Sequence, residues 1–145
     1  MEEILAEKLY KYIGRNNPDL LQLLQTENRV AEYLIDTLSA IAVMLQQWQA
    51  EGKPTYIVEE LCMSAMTENL RPSMYNYLIN ILEDEFAIEY EQMLNNGILQ
   101  FEVINLIQIC NPVFEKLGFT TENEDDKQFY YAITGSISNY LAGNK

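Results

Sequence analysis

Apolar residues along this chain recur at steps of three and four almost from end to end, the spacing that gathers side chains on one face of an α-helix. Residues 2–13 set Ile4, Leu5, Leu9, Tyr12 and Ile13 on one side, and Gly14 follows as a helix stop. Asn17 before Pro18 pairs a capping residue with a proline suited to a first helical position, so a short helix is expected through Leu20, Leu21, Leu23 and Leu24. From Thr26 as N-cap to residue 51, Val30, Leu34, Leu38, Ile41, Leu45 and Trp48 hold a single stripe. That pattern predicts one continuous helix of about 37 Å, the spine of the domain.

Pro54 opens a further helix to about residue 69, with Ile57, Val58, Leu61, Cys62, Ala65 and Met66 inward. Pro72 opens another to residue 95, carrying Tyr75, Leu78, Ile79, Leu82 and Phe86 and stopped by Asn95-Asn96-Gly97. Residues 98–116 are apolar nearly all round, which predicts the most buried helix of the set. Residues 103–109 are β-branched enough for a short strand, and Pro112 is expected to kink or restart the segment. Helix is the reading kept, because no second strand offers itself as a partner. After a polar loop over 120–126, Phe129, Tyr130, Ile133, Ile137, Tyr140 and Leu141 mark a last helix, crossed by Thr134-Gly135-Ser136. A glycine there points to close helix–helix approach, with a ligand touching the backbone as the sharper alternative. No internal repeat shows in the sequence. The pattern as a whole predicts an all-α, single-domain bundle of six or seven helices around a long central helix, spanning residues 1–145.

Charge narrows the function classes. The 145 residues carry 22 acids, 9 bases and no histidine, a formal net of −13. A field of that sign repels phosphate backbones and anionic lipid headgroups, so neither direct nucleic-acid binding nor membrane binding is expected. Missing histidine removes the usual neutral-pH acid–base group and the commonest transition-metal ligand. The acidity is uneven: residues 1–71 hold 11 acids and 6 bases, whereas residues 72–145 hold 11 acids and 3 bases. Residues 72–115 contain no lysine or arginine. The acidic start of the chain is unlike a signal peptide, and no apolar run approaches the ~20 residues of a membrane span, so a cytoplasmic protein is expected. Cys62 and Cys110 sit among apolar neighbours without a C-x-x-C pattern, as core thiols do.

The candidate chemistry is confined to carboxylates and tyrosines. Glu83, Asp84, Glu85, Glu89 and Glu91 form the densest acidic run, and on one helix Glu85 and Glu89 would share a face as an i, i+4 pair able to hold a hard cation. A solvated helix face is the plainer account, and ferritin-like sites need the histidine this chain lacks. The acidic loop at 122–126 lacks the mid-loop glycine and terminal glutamate of an EF-hand, so Asp125 or Asp126 is expected to cap the last helix instead. Ten tyrosines suit a core of amphipathic rings, yet neighbours such as Tyr10/Tyr12 and Tyr130/Tyr131 cannot all point inward on one helix. Tyr10, Tyr77 and Tyr131, with Glu83, Asp84, Glu85, Glu89 and Glu91, are therefore the candidate interaction surface. No catalytic, cofactor-binding or metal-binding residue is assigned.

Three stretches carry a family resemblance: YNYLINILEDEF at 75–86, CNPVFEK at 110–116 and ITGSISNYL at 133–141. They resemble a bacterial family of small proteins, domain-of-unknown-function family 1896, whose long Arg/Ala/Tyr helix ending in glycine is similar to residues 29–52. The resemblance implies a mostly helical fold and an association with mobile genetic elements, with no activity and no catalytic residue to carry over. It makes Gly135 and Tyr140 a packing signature. The function expected from these observations is a non-catalytic, acidic helical protein–protein interaction module that takes a basic protein partner or self-associates. The alternatives are an acidic inhibitor imitating the charge of DNA and a carboxylate-only metal site.

Overall fold

The computed structural model describes residues 1–143, and among these every regular element is helical. The chain divides into two compact units, Met1–Arg71 and Pro72–Lys145, each with its own hydrophobic core. The division falls at the position where the charge balance changes.

Unit 1 runs α1 (Glu2–Asn16), α2 (Pro18–Thr26), α3 (Val30–Ala40), α4 (Ala42–Ala50), α5 (Thr55–Met66) and a 3₁₀ turn (Glu68–Leu70). Its core joins Leu5, Leu9 and Ile13 of α1 with Ile41 and Leu45 at and after the α3–α4 join, and with Val58, Cys62 and Met66 of α5. Unit 2 runs α6 (Met74–Glu85), α7 (Ala87–Asn95), α8 (Leu99–Leu117) and α9 (Lys127–Gly143). Leu78, Ile81 and Leu82 of α6 meet Val103, Leu106, Ile107, Cys110 and Phe114 of α8 and Phe129, Ile133 and Ile137 of α9.

Among the described residues nine α-helices replace the six or seven expected, because two long patterns are broken. The helix expected over 26–51 does not exist as one piece. Thr26 ends α2, its hydroxyl donating to the Gln22 carbonyl, and Ile41 leaves helical geometry at φ −104°, ψ 4°. The Ile41 N–H turns back to the Leu38 carbonyl at 3.2 Å, a three-residue closure, while its own carbonyl accepts from Leu45 at 2.9 Å. The break lets α3 lie on α1 and α2 while α4 lies on α5. The helix expected over 72–95 breaks likewise at Phe86, with φ −135° and ψ 48°. A bundle around one central spine is thus not what organises unit 1.

Other boundaries follow local chemistry. Ser73 caps α6 by accepting from the Asn76 N–H at 3.0 Å. Asp126 caps α9, one carboxylate oxygen accepting from Gln128 N–H at 2.8 Å and Phe129 N–H at 3.2 Å, as the loop composition predicts. Gly14 lies inside α1 rather than ending it. Residues 103–109 are helical, and α8 continues through Pro112, whose ring sits on the exposed face. A Cβ at Gly135 would meet nothing within 4 Å, so the close helix approach expected there is absent.

The two units repeat one another. Asn17 (φ −136°, ψ 56°) and Phe86 (φ −135°, ψ 48°) stand 69 positions apart, and each ends one helix and begins a nine-residue one. Those short helices close alike: Arg29 N–H reaches the Leu24 carbonyl at 2.8 Å, and Ile98 N–H reaches Met93 at 3.0 Å. The residue before each is left-handed, Asn28 at φ 55° and Gly97 at φ 71°, a Schellman-type stop. The same offset pairs buried Leu9 with Leu78, Ile13 with Leu82, Leu24 with Met93, Ile41 with Cys110 and Leu45 with Phe114. Val58, Cys62 and Met66 on α5 match Phe129, Ile133 and Ile137 on α9 in their four-residue steps. A helix–break–helix–turn–helix module therefore occurs twice, which the sequence hides because, apart from Leu9 and Leu78, these paired core positions hold different residues.

Candidate functional site

The predicted surface residues are distributed by the helices that carry them. Tyr10 projects from α1 of unit 1 and is exposed. In unit 2, Glu83, Asp84 and Glu85 close α6, exposed to solvent, while Glu89 and Glu91 ride on α7 beyond the Phe86 break. Glu85 and Glu89 therefore do not share one helix, and the i, i+4 chelate read from the sequence has no backbone to support it. No group of three or more Asp, Glu or Cys residues is placed to hold a metal ion among the described residues.

Tyrosine hydroxyls stand against this acidic run. Tyr130 donates to Glu85 at 2.7 Å, and that bond to a carboxylate, with burial second, pushes the phenol up to about 12. The Tyr90 phenol is also raised, by burial and then by Glu83. All the ion pairs of the described residues lie in unit 1: Lys8–Glu59, Lys11–Glu7, Lys53–Glu51 and Arg29 with Glu27 and Glu32. The carboxylates of unit 2 keep their field.

Tyr77 is half-buried. Its ring meets Phe114, Phe119 and Phe129 edge-on, with centroids 6.1, 5.0 and 5.6 Å away, so it belongs to an aromatic cluster where α6, α8 and α9 meet. Its hydroxyl is buried without a hydrogen-bond partner among the described residues, and burial followed by Asp125, Asp126 and Glu124 pushes it up to about 12. Tyr131, one residue beyond Tyr130 on α9, is 68% exposed, as a candidate contact should be. Cys62 and Cys110 are both fully buried core thiols, and burial raises each, Cys110 to about 11.

A concave feature of unit 2 involves residues outside that candidate set, Glu89 excepted. A groove of about 630 Å³ runs between α7, α8 and α9, lined by Met93, Ile98, Phe101, Tyr140 and Leu141 with Glu89 and Glu102 among its polar wall. Tyr140 donates to Glu102 at 2.6 Å, setting that carboxylate at the lip. Phe101 is 63% exposed and Ile98 41%. The signal for this groove lies in the all-round apolar pattern of residues 98–116. As that pattern predicts, α8 is the most buried of the described helices, through Val103, Leu106, Ile107, Cys110 and Phe114, and the same pattern leaves Phe101 and Ile109 turned outward.

No described helix is long and apolar enough to cross a membrane. Compared with known proteins, the chain matches no family model, no curated protein and no solved structure.

Proposed function

We propose that this chain is a non-catalytic, acidic helical protein–protein interaction module, acting in the cytoplasm of a bacterium and belonging to the mobile-element family that it resembles. One observation carries the reading: unit 2 combines uncompensated carboxylates with an open groove that presents Phe101 and Ile98 to solvent. Exposed aromatic surface costs solubility and contributes binding energy when a partner covers it. A field of one sign speeds encounter with a partner of the other. The runner-up is an acidic DNA-mimic inhibitor, favoured by the lack of any lysine or arginine paired with the described carboxylates of unit 2.

The test is capture of the tagged full chain from its native cells at low and high salt, followed by reconstitution with purified protein. A stoichiometric partner that rebinds the purified chain is the expected result. Recovery of the chain alone, and monomeric by light scattering at high concentration, overturns the proposal. A partner released by salt and also displaced by DNA favours the runner-up.

A further inference from the structure

We infer that the α7/α8/α9 groove docks an amphipathic partner segment that carries lysine or arginine beside its apolar residues. The inference rests on the interaction reading above and assigns its site and the chemistry of its partner.

The repeat within the chain supplies an internal control. Unit 1 builds the same short helix, the same left-handed turn and the same start of the following helix as unit 2. At the positions corresponding to Ile98 and Phe101 it carries Arg29 and Glu32, joined by an ion pair of 3.3 Å. This backbone thus stands with a charged pair on that face and does not need apolar side chains there. Unit 2 nevertheless exposes an isoleucine and a phenylalanine at those two places, beside half-buried Tyr140 and Leu141. Apolar surface that the fold does not require, in a concave site, is surface for binding.

Charge specifies the occupant. Among the described residues the lining contains Glu89 and Glu102 and no base, and residues 72–115 have no lysine or arginine anywhere. An acidic or neutral segment would leave these carboxylates uncompensated as water is excluded, whereas a cationic one pairs with them at the rim. Phe101 and Ile98 receive the apolar side of such a segment, in the helix-in-groove manner.

The experiment uses the isotope-labelled full chain titrated with a short Leu/Lys amphipathic helix peptide and with its Leu/Glu counterpart. The Leu/Lys peptide is expected to shift amides of α7, α8 and α9 around Phe101, with affinity falling as salt rises, and the Leu/Glu peptide is expected to leave them in place. The paired variant Ile98→Arg with Phe101→Glu transfers the unit 1 residues into unit 2 without changing net charge. It should weaken the Leu/Lys peptide by about tenfold or more, the scale of losing one anchoring aromatic, with an unchanged melting temperature. The single variant Phe101→Ser provides the same readout should the pair disturb the fold.

Shifts spread over the acidic surface and indifferent to these variants mean charge attraction alone, which overturns the groove while leaving the interaction module standing. No response to the Leu/Lys peptide also overturns it. Shifts of the same amides on raising protein concentration without peptide identify a second copy as occupant and overturn the cationic partner. Capture of a native partner that binds the paired variant as tightly as the parent separates failure of this inference from failure of the proposed function.

Discussion

Tyr77 and Tyr130 show how much one hydroxyl's surroundings decide. Both are phenols on helices of unit 2, and both are held near 12, Tyr77 chiefly by burial and Tyr130 chiefly by its bond to Glu85. In the unfolded chain a tyrosine titrates near 10. Between those values the folded state keeps protons that the unfolded state releases. Stability from these groups is therefore complete below about pH 10 and lost as pH rises towards about 12. Phenolate absorbance should show Tyr77 and Tyr130 among the latest-titrating tyrosines, and Tyr130→Phe should remove one late step and flatten the loss of stability across that window. Tyr77→Phe keeps the aromatic cluster and deletes a buried hydroxyl without a protein partner. Its stability in denaturant should equal or exceed the parent's, and a loss above about 1 kcal/mol would show the hydroxyl to be engaged. Sequence places Tyr77 on the candidate interaction surface, whereas its ring packs on Phe114, Phe119 and Phe129, because a tyrosine suits both environments until its neighbours are known.

At the scale of elements, hydrophobic period identified helices well and their ends less well. Asn17-Pro18 and Asn95-Asn96-Gly97 are legible as joints because each carries residues that suit a cap or a left-handed turn, and the structure breaks the helices there. Ile41 and Phe86 look like helix interior in the sequence, since neither residue type signals a break. A single non-helical residue, Ile41 at φ −104°, ψ 4° or Phe86 at φ −135°, ψ 48°, shifts the apolar phase by only a fraction of a turn, so the stripe looks continuous although the helix is interrupted. Gly135 differs in the other direction, signalling a close approach that the structure does not make. It lies exposed in α9 with open space where a Cβ would go, so Gly135→Ala should stabilise the protein by about 0.5–1 kcal/mol in a denaturant melt. Destabilisation would show that the position serves a contact of the backbone itself.

For the whole molecule, the buried residues form two hydrophobic cores, one in each unit, and each core holds one thiol. Cys62 reports on unit 1 and Cys110 on unit 2. Leu9 and Leu78 occupy corresponding, fully buried positions, and truncating either to alanine should cost about 2–5 kcal/mol. Thiol labelling read by mass spectrometry is expected to accelerate at Cys62 in Leu9→Ala and at Cys110 in Leu78→Ala. Equal acceleration at both thiols in both variants would mean that residues 1–145 open as one cooperative domain. The sequence by itself determined the helical class, the phase of each apolar stripe, the buried thiols and the step in charge at residue 71, because these depend on residue types and local spacing. Tertiary structure decided where a stripe changes helix, that one module is built twice from dissimilar residues, and which side of α8 faces the core. Periodicity states which residues share a face, and only packing states what, if anything, covers it.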